Sequence, residues 1–195
     1  SLIFNIKSAN SSGTLVLKSG GVLSVPRMYS NTDGTANFNI DGGTLVTTSD
    51  VAKNRLFSKQ AGGGPVTVTV GANGGIIDNG GNANSPSIHL TITGAGGLTF
   101  TGGGRTRVYA DQAYLGATTV SNGTTLAVSG TGVSFAGPVA FADGSVLDID
   151  SPSTATAAIT APSFSFGNGV SVPMPATIAA GRYKIFTLSE GEFAS

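Results

Sequence analysis

Two carboxylates, one imidazole and a scatter of basic and aromatic side chains are the residues of this chain that could do chemistry. Asp148 and Asp150 alternate with Leu147 and Ile149. On a strand this puts both acids on one face, about 7 Å apart. That separation suits a pair of carboxylates hydrolysing a glycosidic bond with inversion, or a weak cation site. Their sequence neighbours are Ala, Ser and Pro, which do not tune an acid, so a solvated strand face is the expected reading. His89, the only histidine, lies between Ile88 and Leu90. It is expected to point outward as surface filler, and no Ser-His-Asp set can be composed around it. One His and no Cys leave no zinc site of the usual kind. The calcium repeat G-G-x-G-x-D is absent. Gly94–Gly97 and Gly102–Gly104 run into strands rather than helices, so they are not phosphate loops. No cofactor and no metal are expected.

The elements that position these residues have period two. Leu15 and Leu17 alternate with Val16 and Lys18, Phe38 and Ile40 with Asn37 and Asn39, and Val66, Val68 and Val70 with Thr67 and Thr69. Ile88, Leu90 and Ile92 read as a further strand, as do Leu98–Phe100, Leu126–Val128, Phe164–Phe166 and Val170–Val172. A Gly-Gly-x-Leu cue precedes several of them. It occurs at Gly20-Gly21, Gly42-Gly43, Gly74-Gly75 and Gly96-Gly97, with looser copies at Gly123 and Gly144. Taken at Gly21, Gly43, Gly75, Gly97, Gly123 and Gly144, the steps are 22, 32, 22, 26 and 21 residues. A period in the low twenties marks a solenoid with one coil per repeat and is too short for a strand–helix–strand crossover of about 30 residues. The expected fold is all-β, a right-handed parallel β-helix; a sandwich of antiparallel hairpins is the alternative. Residues 1–150 form the repeats. Residues 151–195 form final coils, a cap, or a junction to a further region.

Composition agrees. Charged residues are 10% of the chain, against about 25% in ordinary domains. Thirty glycines and many Ser, Thr and Asn do the solvating. Ten basic and ten acidic residues cancel, which removes any global electrostatic case for nucleic acid. Cysteine is absent, as suits a chain exported unfolded into an oxidising compartment. No apolar run of about 18 residues offers a spanning helix. The chain opens at Ser1 without Met and is expected to be a mature fragment of something longer.

Gly94–Gly102 (GAGGLTFTG) and Tyr114–Gly130 (YLGATTVSNGTTLAVSG) resemble the autotransporter-associated β-strand repeat, also called the passenger-associated transport repeat. The matching positions are Gly97, Leu98, Gly102, Tyr114, Gly116, Thr118, Val120, Gly123 and Leu126. About nine additional residues, Gly103–Asp111, interrupt the pattern. The resemblance implies a β-helical passenger of an exported bacterial surface protein, secreted or held at the cell surface. It would touch the outer membrane only through regions absent from this chain.

The long steps carry extra residues in Ser49–Pro65 and Gly103–Ala113, with shorter departures at Pro26–Thr35 and Asp78–Pro86. Insertions at one place in a repeat emerge on one flank, often the binding flank. Arg27, Tyr29, Lys53, Arg55, Lys59, Arg105, Arg107, Tyr109 and Tyr114 fall in or beside them. Such a basic, aromatic flank is the expected contact surface for a glycan or a host-cell component. Charges that merely solvate loops are the plainer account. Asp50–Gln60 is expected to form a short helix with Val51, Leu56 and Phe57 facing inward. Ala180–Leu188 reads as an amphipathic closing segment. The function expected is a non-enzymatic stalk or adhesin-like passenger. A β-helix enzyme acting on acidic polysaccharide and a ligand-free spacer are the alternatives.

Overall fold

Alternating strands that end in glycine corners have only one economical way to satisfy their backbones, which is to lie parallel on the next coil. The computed structural model describes residues 2–4, 10–30, 33–48, 55–59, 63–82, 87–128, 131–150, 152–175 and 179–189, and it is a parallel β-solenoid of about seven turns with no helix among the described residues. After β1 (Leu2–Phe4), the first coil runs through β2 (Ser12–Lys18), β3 (Val22–Val25) and β4 (Met28–Ser30). The second is β5 (Thr35–Asp41), β6 (Thr44–Thr47) and β7 (Phe57–Lys59). The third is β8 (Val66–Val70), β9 (Gly75–Asp78) and β10 (Ser87–Ile88). The fourth is β11 (Thr93–Gly94), β12 (Leu98–Thr101) and β13 (Arg105–Val108). The fifth is β14 (Ala113–Tyr114), β15 (Thr118–Val120) and β16 (Thr125–Val128). The sixth is β17 (Val133–Ser134), β18 (Val139–Phe141) and β19 (Val146–Ile149). The last comprises β20 (Ile159–Ala161) and β21 (Phe164–Phe166), and β22 (Phe186–Leu188) begins another rung.

Each coil therefore has three sides. The second is one unbroken seven-stranded sheet, β3-β6-β9-β12-β15-β18-β21. The first is β2-β5-β8-β11-β14, continued with an offset by β17-β20-β22 through a Gln112–Phe135 bridge. The third is β1-β4-β7, continued by β10-β13-β16-β19 through an Arg55–Ser87 bridge. On the second side Leu23, Leu45, Ile77, Phe100, Val120, Phe141 and Phe166 stack in one inward row. The row is closed to water from Leu45 to Phe141, whereas Phe166 at its end is 47% exposed. Burying each such side chain contributes about 1.5–3 kcal/mol. Phe186, from the closing segment, lays its ring against Phe141, Phe164 and Phe166.

The strand register shows what the glycine cue does. In the first three copies the leading glycines, Gly20, Gly42 and Gly74, have φ of 76°, 91° and 72°. The second glycines sit where a Cβ has no room. On Gly43 it would lie 2.8 Å from the carbonyl oxygen of Lys18, and on Gly75 it would strike the side chain of Ile40. The looser copies belong to a different corner. Gly123 and Gly144 precede β16 and β19, on the third side.

Several expectations are corrected by the register and the strand bounds. The apparent step of 26 compares unlike corners. Thr99 pairs with Thr119, 20 positions on, the shortest coil of the second side, so Gly103–Ala113 holds no insertion. Its middle is β13, and the middle of Pro26–Thr35 is β4. The long coils are those from Thr44 to Ile76, 32 positions, and from Ala140 to Ser165, 25 positions. The expected strand Ile88–Ile92 is the end of one strand and a corner, since β10 ends at Ile88 and β11 starts only at Thr93. Val170–Val172 contributes only a bridge from Ser171 to Val146. The expected helix over Asp50–Gln60 is absent from its described part. Arg55 bridges, Phe57–Lys59 is strand, and 50–54 and 60 lie outside the described residues. Leu56 and Phe57 do face inward, at 0% and 1% exposure.

Candidate functional site

The outer face of the third side gathers most of the described chemistry. In β13, Thr106 and Val108 point into the core, so Arg105 and Arg107 point out. Parallel stacking places Arg107 beside Ser87 on one coil and Ala127 on the next, with Asp148 one coil further. Arg105 reaches across these rungs. Its Nη2 donates to Asp148 Oδ2 and to Asp150 Oδ1, both at 2.7 Å. The Tyr109 hydroxyl donates to the other oxygen of Asp150 at 2.6 Å. Ala127, which lies between Arg107 and Asp148 on the neighbouring rungs, is fully buried although it faces outward.

Tyr109 links this cluster to His89, ring against ring, with centroids 4.8 Å apart. His89 Nε2 lies 2.8 Å from the Ser87 hydroxyl. Partial burial pushes the Tyr109 phenol up to about 12, helped by its bond to Asp150 and the charge there and opposed by Arg107 and Arg105. Burial, and then the positive charge of Arg55, hold His89 below its usual value of 6.5. At neutral pH the site thus presents a neutral phenol, a neutral imidazole, and an arginine shared between two carboxylates.

A cleft flanks the cluster on each side. One, of about 370 Å³, opens at the corner leading to β8, with Arg55, Ser58, Pro65, Val66, His89 and Leu90 around it. The other, of about 360 Å³, runs along the corner before β13, past Gly103, Gly104, Arg105, Thr125, Asp148 and Pro173.

Of the residues expected to form a contact flank, Arg55, Arg105, Arg107 and Tyr109 share this face, but Arg107 is covered, with 8% exposure, and is not an open contact group. Arg27 and Tyr29 sit nearer the N-terminal end, the guanidinium 4.7 Å from the ring centroid. Lys59 ends β7, and Lys53 lies outside the described residues. Tyr114 is corrected. It is 1% exposed, with its hydroxyl 2.6 Å from Thr118 Oγ1, and burial raises its phenol far above the ordinary range. A two-residue strand after a corner gave no alternation from which to read its inward direction. The surroundings expected for Asp148 and Asp150 are corrected as well. Their partners, Arg105 and Tyr109, lie 45 and 41 positions upstream of Asp150 and are adjacent only through stacking. His89 and Ser87 were not part of the expected flank, and the change from β10 to a corner at Ile88 is what brings them there. Among the described residues no group of three or more His, Cys, Asp or Glu side chains stands close enough to hold a metal ion. No family model matches the chain, and neither a curated protein nor a solved structure is significantly similar to it.

Proposed function

We propose that this chain is a non-enzymatic coil segment of an exported bacterial surface protein, a passenger-type stalk whose third side makes contact with glycan or cell-surface material. The observation that carries the reading is the unbroken seven-stranded parallel sheet. It makes a long, self-supporting rod from short repeats, in which contact chemistry is an addition to a scaffold. Zero net charge, a Ser/Thr/Asn/Gly surface and the absence of cysteine support passage to an oxidising exterior. The GAGGLTFTG and YLGATTVSNGTTLAVSG segments support kinship with passenger repeats. Antibodies raised against the chain, applied to intact and to lysed cells of the organism that encodes it, test the proposal. Labelling of intact cells is expected, and labelling only after lysis refutes it.

The contacts of Asp148 and Asp150 with Arg105 and Tyr109 favour a second reading, an enzyme acting on acidic polysaccharide. The same geometry argues against it. The Arg105 guanidinium and the Tyr109 hydroxyl already occupy oxygens of both acids, so these groups are engaged with one another rather than open toward a bond to be cleaved. The neutral phenol is likewise a poor base. Release of unsaturated or reducing ends from pectate or alginate would reverse the order of the two readings.

A further inference from the structure

We propose that the cleft between Arg55 and Leu90 is a binding subsite for a single uronic-acid ring, the carboxylated pyranose of acidic polysaccharides. The inference rests on the reading of the third side as a contact surface, and it names the ligand and the place. The cleft, of about 370 Å³, is within the range that takes one ring-sized ligand. Its lining is chemically mixed. Phe57, Pro65, Val66 and Leu90 are apolar, while Arg55, Ser58 and His89 are polar. A ligand matching both needs an apolar ring face, hydroxyl groups and one negative charge. That combination describes a uronate better than a phosphate or a plain sugar.

Arg55 supplies the charge. Its side chain is exposed, and no carboxylate among the described residues pairs with it. By contrast, Arg105 is engaged by two acids. A guanidinium fork bonds a carboxylate through two parallel N–H groups, a geometry that lysine does not offer. His89 is fixed at the rim by Ser87 on one side and by the Tyr109 ring behind it. Its neutral ring next to Arg55 is set to gain a proton when an anion enters, since an opposite charge favours the imidazolium.

The sole histidine makes the test direct, because its ring gives one resonance. Methyl glucuronoside, methyl glucoside and acetate are titrated separately into the full chain while the His89 signal is followed by NMR across pH. The expected result is a saturable shift with methyl glucuronoside, with Kd on the order of 1 mM for so small a ligand, and a raised His89 pKa in the complex. Methyl glucoside and acetate should each bind about tenfold more weakly or worse, and Arg55→Gln, with an unchanged circular dichroism spectrum, should weaken glucuronoside binding by about tenfold. Leu90→Ala should weaken it while leaving acetate binding unchanged. Absence of saturation, equal binding of glucoside, equal binding of acetate, or indifference to Arg55→Gln would each overturn the proposal. None of these outcomes bears on labelling of intact cells, so failure of the subsite is distinguishable from failure of the display reading.

Discussion

Replacing Gly97 by alanine should damage this fold far more than the same change at Gly123, although both glycines belong to the cue that reveals the repeat. A Cβ on Gly97 would run into the carbonyl oxygen of Ala117 and lie 2.8 Å from the Ala117 nitrogen. Neither atom can swing away, because both are backbone. Relief requires the fourth and fifth coils to part by about 1 Å, enough to forfeit much of their dispersion contact. Leu98 N to Ala117 O at 3.0 Å and Gly116 N to Gly96 O at 3.3 Å, both between these two coils, would stretch or break. Two hydrogen bonds at about 1 kcal/mol each, with about 1–3 kcal/mol for overpacking, give a loss of about 3–5 kcal/mol. Gly123 has φ of 68°, and a methyl group placed on it would meet no heavy atom within 4 Å. Alanine there bears only the left-handed penalty of about 1–2 kcal/mol. The entropy that alanine removes from the unfolded chain is common to both variants and cancels. Urea melts followed by circular dichroism measure the difference. A Gly97→Ala loss no larger than that of Gly123→Ala would refute the claim that coils approach backbone to backbone at this corner.

Tyr114→Phe removes the bond to Thr118 and leaves that buried hydroxyl without its partner; about 1–2 kcal/mol should be lost in the same melts. The folded chain holds the Tyr109 and Tyr114 phenols protonated above their ordinary value of 10.0. Their contribution is complete below that pH and falls as pH rises past it, so Tyr114→Phe should flatten the alkaline limb of stability against pH. His89 behaves oppositely. With its folded pKa below 6.5, stability declines as pH falls from that value, and His89→Gln should remove this slope. Asp150→Asn should lower the ionisation of Tyr109 from about 12, because it weakens the hydrogen bond and removes the negative charge that add to burial in raising it; ultraviolet titration of the difference between variant and parent reads this, and an unmoved phenol would refute it.

The first two sides were legible because alternation and paired glycines punctuate them, from Leu15 and Leu17 to Leu98 and Phe100. The third side was legible only at its later rungs, in Leu126–Val128 and in the alternation of Leu147 and Ile149. Its earlier strands are two to four residues long, too short for a period to emerge, and their lead-ins vary in length, so β4 and β13 looked like loops. A glycine before a strand also means two things here. At Gly97 it marks backbone contact, and at Gly123 it marks a positive φ, which is why copies from two corners merged into one series. The site was half legible for a related reason. Arg105, Arg107 and Tyr109 stood out by type and spacing, whereas their pairing with Asp148 and Asp150 depends on register between coils. Alternation within a strand carries no record of that register.

Because the strands of each described coil pair only with those of the coils before and after it, tension applied to the two ends of the rod meets resistance largely one rung at a time, with Arg105 as a side-chain tie that spans two. Each detached rung would release between 20 and 32 residues of chain, about 70–110 Å at full extension. The rod would therefore lengthen in unequal steps while the remaining coils stayed folded. A tether that yields in this way dissipates a pull before its anchorage fails.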